Sequence, residues 1–209
     1  KRTTMISIDR DDGITILRLA RSQKANALTA EMLADLCAAV TAADTPALVL
    51  TGEGKVFSAG ADLEGMKAGL GGSPAWEALS AAIAAYPGLT IAALNGTLAG
   101  GAMGMALACD LRIAVPAAQF FYPVMRLGYR PQPSDPARLA ALVGPSRAGM
   151  ILLAGQRIGA EEALAWGLID RIVAPETLID SAKALAADAV AADQGHLHAL
   201  KRMTKGERP

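Results

Sequence analysis

Two short segments carry residue types and spacings that could do chemistry: Phe57-Ser-Ala-Gly-Ala-Asp62 and Asn95-Gly-Thr-Leu-Ala-Gly-Gly-Ala-Met-Gly104. Each places a turn of small residues directly after an apolar run that reads as a buried strand. Glycine lets a chain turn sharply and lets a ligand approach the backbone closely. A helix beginning near Gly101 would aim its unpaired N–H groups and its dipole at the approach point. That arrangement suits an anion or an oxygen that gains charge during a reaction. The plainer alternative is that Gly100 and Gly101 only allow tight strand-to-helix packing, and the glycines alone leave both readings open.

Other glycine-based chemistries fail on spacing. Gly52-Glu-Gly-Lys55 has no Ser or Thr after the lysine and lacks the G-x-x-x-x-G-K interval, so it is a turn and not a phosphate loop. Gly100-Gly-Ala-Met-Gly104 lacks the acidic residue about 20 positions on that a dinucleotide site needs, since Phe120 and apolar neighbours stand there. Phe57-Ser-Ala-Gly60 is not the G-x-S-x-G turn of a serine hydrolase. His196 and His198 lie two apart with no third ligand in view, and no metal site is expected.

The elements that must position these loops follow from periodicity. Ile14–Leu19 alternates and pairs with Met5–Asp9 as a hairpin around Gly13. Thr29 caps a helix whose Met32, Leu33, Leu36, Ala39 and Val40 share one face. Ala47–Leu50 and Thr90–Leu94 read as strands buried on both faces, with a helix at Trp76–Tyr86 between them that Pro87-Gly88 stops. Leu111–Val115 and Gln119–Tyr122 read as strands, Pro123–Pro136 as a loop, and Leu168–Val173 as a further strand. Helices are expected at 138–143, 146–153, 160–166, 178–192 and 196–204. Strands and helices alternate first and helices dominate later, which makes an α/β core with a helical C-terminal part.

Composition narrows the partners. With 209 residues the chain fits one domain, and its 52% of apolar residues excludes disorder. The most apolar stretch, Ile91–Ala108, is broken by Asn95 and glycines and is too short to cross a bilayer. Lys plus Arg and Asp plus Glu are 20 each, and Trp, Tyr and Phe number only 2, 3 and 3. A nucleic-acid surface is therefore not expected. Cys37 and Cys109 sit in apolar helical patterns without metal spacing and read as reduced core residues of a cytoplasmic protein.

Taken in order, Leu19-Ala-Arg-Ser-Gln-Lys-Ala-Asn-Ala-Leu28, Thr51-Gly52, Phe57–Asp62, Ala93-Leu-Asn-Gly96, Gly100-Gly101, Cys109-Asp110, Ala118-Gln-Phe120, Pro123, Leu127-Gly128 and Pro131 resemble the crotonase, or enoyl-CoA hydratase/isomerase, family. Leu153-Ala-Gly155, Arg157-Ile158, Ala163, Gly167-Leu168 and Val173 continue the pattern. The resemblance implies an α/β fold, a spiral of ββα units spanning 1–155, with a helical segment at 156–209 in the same structural domain. It implies that the N–H groups of Ala61 and Gly101 receive the charge of a thioester enolate or oxyanion. It also implies that coenzyme A, entering as part of the substrate and with no separate cofactor, lies along Arg21–Ala27 and Ser58–Leu63. The residues concerned are Lys24, Ala25, Ala27, Ser58, Ala59, Ala61, Asp62, Leu63 and Gly100, with Lys24 a phosphate contact and Asp62 a residue that fixes its loop. A homo-oligomer, trimeric or hexameric, is the assembly implied.

The chain departs from that family at the acid and base. The resemblance places the hydratase glutamates at positions 104 and 124, which are Gly104 and Val124 here. Neither can move a proton, and each such group contributes ~10²–10⁴-fold to a rate, so ordinary hydration is expected to be weak. The following loop instead holds Tyr122, Arg126, Tyr129, Arg130 and Asp135. In an extended segment Tyr122 would point the same way as Val124, where its hydroxyl could donate to an enolate or orient a carboxylate. An arginine there would suit an acidic acyl group. Equally, these are solvated charges and a core aromatic, with Asp135 a helix N-cap before Pro136. The sequence also stops at Pro209, before the further helices that in this family cover the acyl pocket and form the trimer. Two functions follow as expectations. One is an acyl-CoA enzyme with Ala61 and Gly101 as oxyanion donors and Tyr122 and Asp135 as candidate catalytic groups. The other is a CoA-thioester-binding or assembly subunit without turnover.

Overall fold

The computed structural model describes residues 5–207. β1 (Ile6–Asp11) and β2 (Ile14–Leu19) form an antiparallel hairpin turned by Asp12 and Gly13, both with positive φ. An Asp-Gly pair of that kind matches the right-handed twist of the strands it joins. α1 (Ala30–Ala42) starts where the Thr29 side chain accepts the Met32 N–H at 3.2 Å, and it buries Met32, Leu33, Leu36 and Val40. β3 (Ala47–Gly52) is buried at every position and pairs in parallel with β2. A strand covered on both faces needs no alternation, which is why it reads as a continuous apolar run.

From β3 onward the chain repeats one unit. β3 is followed by β4 (Val56–Ser58), α2 (Leu63–Lys67) and α3 (Ala75–Ala85). β5 (Leu89–Leu94) is followed by β6 (Thr97–Ala99) and α4 (Met103–Ala108), the latter entered through a 3-10 turn at Gly100–Ala102. β7 (Leu111–Ala114) is followed by β8 (Gln119–Phe121), α5 (Val124–Leu127) and α6 (Asp135–Val143). The first strand of each unit joins a large sheet that runs β1-β2-β3-β5-β7, and the second joins a smaller sheet that runs β4-β6-β8. The chain thus coils, alternating between sheets. Phe57 and Phe120, both buried, lie on the small-sheet strands, and the core continues into Leu48, Ile91 and Leu94 of the large sheet.

After α7 (Pro145–Leu152), the C-terminal segment completes both sheets. β9 (Ile158–Gly159) adds antiparallel to β8, α8 (Ala160–Trp166) follows, and β10 (Arg171–Ile172) adds in parallel to β7. α9 (Leu178–Ala191) buries Leu178, Ala182 and Ala186, one face at four-residue spacing. α10 (Gln194–Thr204) is tied down by Lys201, whose Nζ reaches Asp110 Oδ2 at 2.7 Å and the Gly88 carbonyl at 2.7 Å. Among the described residues, no helix is long and apolar enough to cross a membrane.

Several expectations need correction. The small-sheet strands at 56–58, 97–99 and 158–159 are too short to show a period of two, and only a neighbouring strand makes them visible. The strand expected at Leu168–Val173 is confined to Arg171–Ile172, because Gly167 ends α8 in a left-handed turn and the Leu168 N–H folds back to the Ala163 carbonyl. The Pro123–Pro136 loop contains α5, and α6 begins three residues before 138 because Pro136 sits within its first turn, where a missing N–H costs nothing. Cys37 is only half-buried, so of the two free cysteines Cys109 alone is in the core.

The turn between β5 and β6 is closed by contact. A Cβ on Gly96 would stand 1.9 Å from the Lys55 carbonyl oxygen, whereas one on Gly72 would meet nothing within 4 Å. Gly96→Ala is therefore expected to lower the unfolding free energy by at least ~2 kcal/mol through backbone overpacking. Gly72→Ala is expected to stay within ~0.5 kcal/mol. Urea melts of the two variants check both.

Candidate functional site

The site is assembled by polar side chains that spend themselves on backbone. Asn26 is buried, and its Nδ2 donates to the carbonyls of Glu53 (2.9 Å) and Val56 (2.8 Å) while its Oδ1 accepts the Arg21 N–H. Asn95 works from the other side, accepting the Gly52 N–H and donating to Gly54 and Val56. The two asparagines thus clamp the turn between β3 and β4. Asn26 and Ala25 both have positive φ, a conformation that asparagine tolerates better than most residues.

Segments 21–28 and 58–62 then run side by side. Ala59 N–H donates to Ala25 O (2.9 Å), Leu28 N–H to Gly60 O (2.7 Å) and Asp62 N–H to Leu28 O (2.9 Å). Arg21 Nη1 holds both the Ala27 carbonyl and Asp62 Oδ1 at 2.8 Å. Asp62 also caps α2, its Oδ2 accepting from Glu64 and Gly65. Asp62 thus ties its loop to Arg21 and to the start of α2. The Arg21 hydrogen bond is the main cause that keeps its carboxyl below the usual carboxylate range.

The first loop meets the second at Gly60. Its φ is +93°, and a Cβ there would be 2.9 Å from the Ala99 carbonyl oxygen and 3.4 Å from Gly100 Cα. Ala61 and Gly101 are thereby brought to one cavity of about 210 Å³. Among the described residues, no protein acceptor takes the N–H of either. Trp76 backs the second loop, its indole N–H fixed on the Leu70 carbonyl at 2.8 Å and its ring 3.1 Å from where a Gly101 Cβ would stand.

The opposite wall comes from the segment after β8. Tyr122, Val124, Leu127, Tyr129 and Arg130 all line the cavity. Tyr122 and Val124 share it although Val124 already begins α5, so the extended geometry anticipated for them is not how they meet. Asp135 is not the N-cap of α6. Ser134 occupies that position, and the Asp135 side chain turns inward to accept the Tyr122 hydroxyl at 2.9 Å. Asp135 is 1% exposed and its Oδ1 has no hydrogen-bond partner. A Cβ on Gly104 would stand 2.8 Å from that oxygen. The carboxylate of Asp135 thus fills the space that a side chain at 104 would need.

The sequence model of the family described as Enoyl-CoA hydratase/isomerase matches residues 9–207. The chain belongs to that family. It is 36% identical over 184 residues to a 4-chlorobenzoyl coenzyme A dehalogenase of Arthrobacter sp, an alignment covering 80% of this chain and 65% of the relative. The chain thus spans just under two thirds of that relative's length. It is 34% identical over 189 residues to a probable enoyl-CoA hydratase of Mycobacterium bovis, covering 87% of this chain and 73% of the other. A solved enoyl-CoA hydratase of Bacillus anthracis superposes with a TM-score of 0.90 at 28% identity, over 97% of this chain and 83% of that one. The coil of ββα units is accordingly the crotonase fold.

Of the residues singled out from sequence, Ala59, Ala61, Leu63, Gly100, Gly101, Tyr122 and Val124 line the cavity. Ala25 and Ala27 are half-buried beside the first loop, and Lys24 is exposed on a 3-10 turn outside the cavity. Ser58 is fully buried. Its hydroxyl donates to Asn26 O and accepts from Gly60 N, so its side chain organises the loop. Sequence reasoning missed Trp76 and Gln132 as lining residues and Asn26 as the clamp. The isolated Asn-Ala-Leu triplet quotes Asn26 without saying what it holds. His196 and His198 lie on α10, and the described residues hold no cluster of three metal-ligating groups.

The Tyr122–Asp135 pair is electrostatically loaded. Burial is the main cause that raises the Asp135 carboxyl to about 6, with Glu77 adding to it and the Tyr122 hydrogen bond and Arg138 opposing it. Burial and then the Asp135 charge push the Tyr122 phenol above its ordinary value. A carboxyl that keeps its proton longer in the folded than in the unfolded chain binds more protons in the native state between about pH 4 and 6. Stability therefore falls as pH rises through that window. Asp135→Asn removes the titration, so the stability of the parent relative to this variant is expected to drop by ~2–3 kcal/mol between pH 4 and 7.5, for a two-unit shift at ~1.4 kcal/mol each. Urea unfolding of both proteins at the two pH values measures the difference, and a constant difference refutes it.

Proposed function

We propose that the chain binds an acyl-CoA thioester with the thioester carbonyl at the N–H groups of Ala61 and Gly101, which stabilise negative charge on that oxygen as an enolate or tetrahedral oxyanion. The observation that carries this reading is a pair of unpartnered backbone donors on two loops in backbone contact, at residues that line one cavity. Backbone donors held in place before charge appears are effective because nothing must reorganise during the reaction. Coenzyme A lies along the paired segments 21–27 and 58–63, where the exposed Lys24 is free to meet a phosphate. The relatives' names support the substrate class, since one is a dehalogenase of a benzoyl-CoA and another a probable enoyl-CoA hydratase. No separate cofactor is needed, because the coenzyme is part of the substrate.

The reaction is other than ordinary hydration. Position 104 has no side chain and position 124 carries an isopropyl group, and neither activates water. Leu63, Met125 and Leu127 are exposed beside the cavity. Apolar surface of this kind supports a homo-oligomer in which a neighbouring copy covers the acyl group.

The test is a panel of short, long, dicarboxylic and 4-chlorobenzoyl CoA thioesters in D₂O, read for binding by calorimetry and for α-deuterium, new products and chloride by mass spectrometry and ion analysis. Turnover or exchange is expected with at least one thioester, and Gly101→Pro, which deletes one donor, is expected to lower it by at least ~100-fold while the fold persists by circular dichroism. Binding without exchange or product would make the chain a thioester-binding subunit. Absence of any thioester binding would sink the proposal.

A further inference from the structure

We propose that Tyr122 and Asp135 form the proton-transfer pair of this site, with Asp135 acting through the Tyr122 hydroxyl on the α-carbon of an enolisable acyl-CoA thioester. This rests on the reading that the thioester carbonyl sits at the N–H groups of Ala61 and Gly101. Four observations lead to it. Tyr122 lines the cavity and Asp135 does not, so the carboxylate reaches a ligand only through the tyrosine. The hydroxyl donates to Asp135 Oδ2 at 2.9 Å, which fixes the direction in which a proton can leave the cavity wall. Asp135 Oδ1 is buried without a partner, an arrangement that costs stability and is retained where a group has work to do. Finally, the carboxylate occupies the volume left by the absent side chain of Gly104, beside the helix that follows the Gly101 donor. The glycine at 104 and the aspartate at 135 are two halves of one arrangement.

The step balances with no added reactant. The α-carbon's C–H bond breaks and its proton forms a new O–H bond at Tyr122, while the original phenolic proton crosses to Asp135 Oδ2. The C–H electron pair moves into the enolate, whose oxygen is held by the Ala61 and Gly101 N–H groups. One negative charge passes from Asp135 to the thioester oxygen, and reversal of the steps returns a proton, or a deuteron, to the carbon. Other groups face the pair from each side. Glu77 of α3 bonds the Ser134 N–H and hydroxyl, Arg138 of α6 places Nη1 3.0 Å from Ser80 Oγ, and the Gln132 backbone amide faces the Tyr122 oxygen. Of these, Glu77 raises and Arg138 lowers the proton affinity of Asp135, and burial outweighs both.

The experiment measures α-proton exchange of butyryl-CoA and other enolisable acyl-CoA thioesters in D₂O across pH 4.5–9, for the parent and for Y122F, D135N, G104A and G101P. Thioester affinity and melting temperature are measured on each protein. The parent is expected to exchange with a rising limb centred near pH 6, where Asp135 ionises. Y122F and D135N should each exchange ~100-fold more slowly, the size of a general acid–base contribution, with affinity changed less than about threefold. D135N should lack the rising limb, and Y122F with D135N combined should be no slower than the slower single variant. G104A leaves both members in place but forces the carboxylate aside, and it should slow exchange in the same way. Exchange in Y122F or D135N at the parent rate would overturn the pair, and so would slower exchange in D135N with the pH limb intact, which marks a structural role only. In either case loss of exchange in G101P would leave the carbonyl site standing. Thioester binding with no exchange in the parent would overturn the pair as well, whereas no binding at all would remove the underlying site.

Discussion

Backbone lies against backbone where Gly60 meets Ala99 and Gly100, and the geometry of the cavity depends on that contact. Two loops that end strands of the small sheet can present their amides to one small volume only if nothing stands between them. A side chain at residue 60 would be within 2.9 Å of a carbonyl oxygen, so the approach requires glycine and a left-handed backbone together. Everything nearby serves to hold the loops at that distance. Asn26 and Asn95 spend their side chains on the turn that launches β4, Ser58 ties the first loop to Asn26, and Arg21 bridges Ala27 and Asp62. Buried polar groups are costly when unpaired and specific when fully paired. Here nearly all are paired, and the exceptions face the cavity or its wall.

Those exceptions cluster at one cavity. The Ala61 and Gly101 N–H groups and Asp135 Oδ1 lack protein partners in a region otherwise saturated with hydrogen bonds. Ala61 and Gly101 line one wall of the cavity, and Tyr122, with Asp135 behind it, lines another. The apolar remainder, Trp76 and Val124 among it, gives the cavity walls of low polarity, against which the few polar groups interact more strongly.

The sequence made most of the large sheet legible because β2 alternates and β3 and β5 are apolar runs, and it made α1 legible through capping and spacing. The hairpin, β3, β5 and β7 lie where periodicity puts them. Of the small sheet only β8 was legible, since the other strands, of two or three residues, carry no period and owe their form to neighbours in the adjacent turn of the coil. At the site, the glycine-bearing loops were legible from residue type and order, whereas Asn26, Trp76 and the inward turn of Asp135 were not. Asp135 before Pro136 has the local signature of a cap. Tertiary contact overrides it, because the Tyr122 hydroxyl lies 13 residues upstream in sequence and next door in space.

The shared volume at Gly104 and Asp135 also constrains how such a protein can change over generations. Substitutions at the two positions are not independent: with aspartate in place, even a methyl group at 104 meets a buried carboxylate at 2.8 Å, so a side chain enters there only by displacing that carboxylate or in a background without it. Two side chains compete for one volume, and a lineage that holds both at once carries the strain of that competition. Sterics thus weigh on the order of changes alongside selection on activity, and the glycine, once accompanied by the aspartate, is costly to reverse.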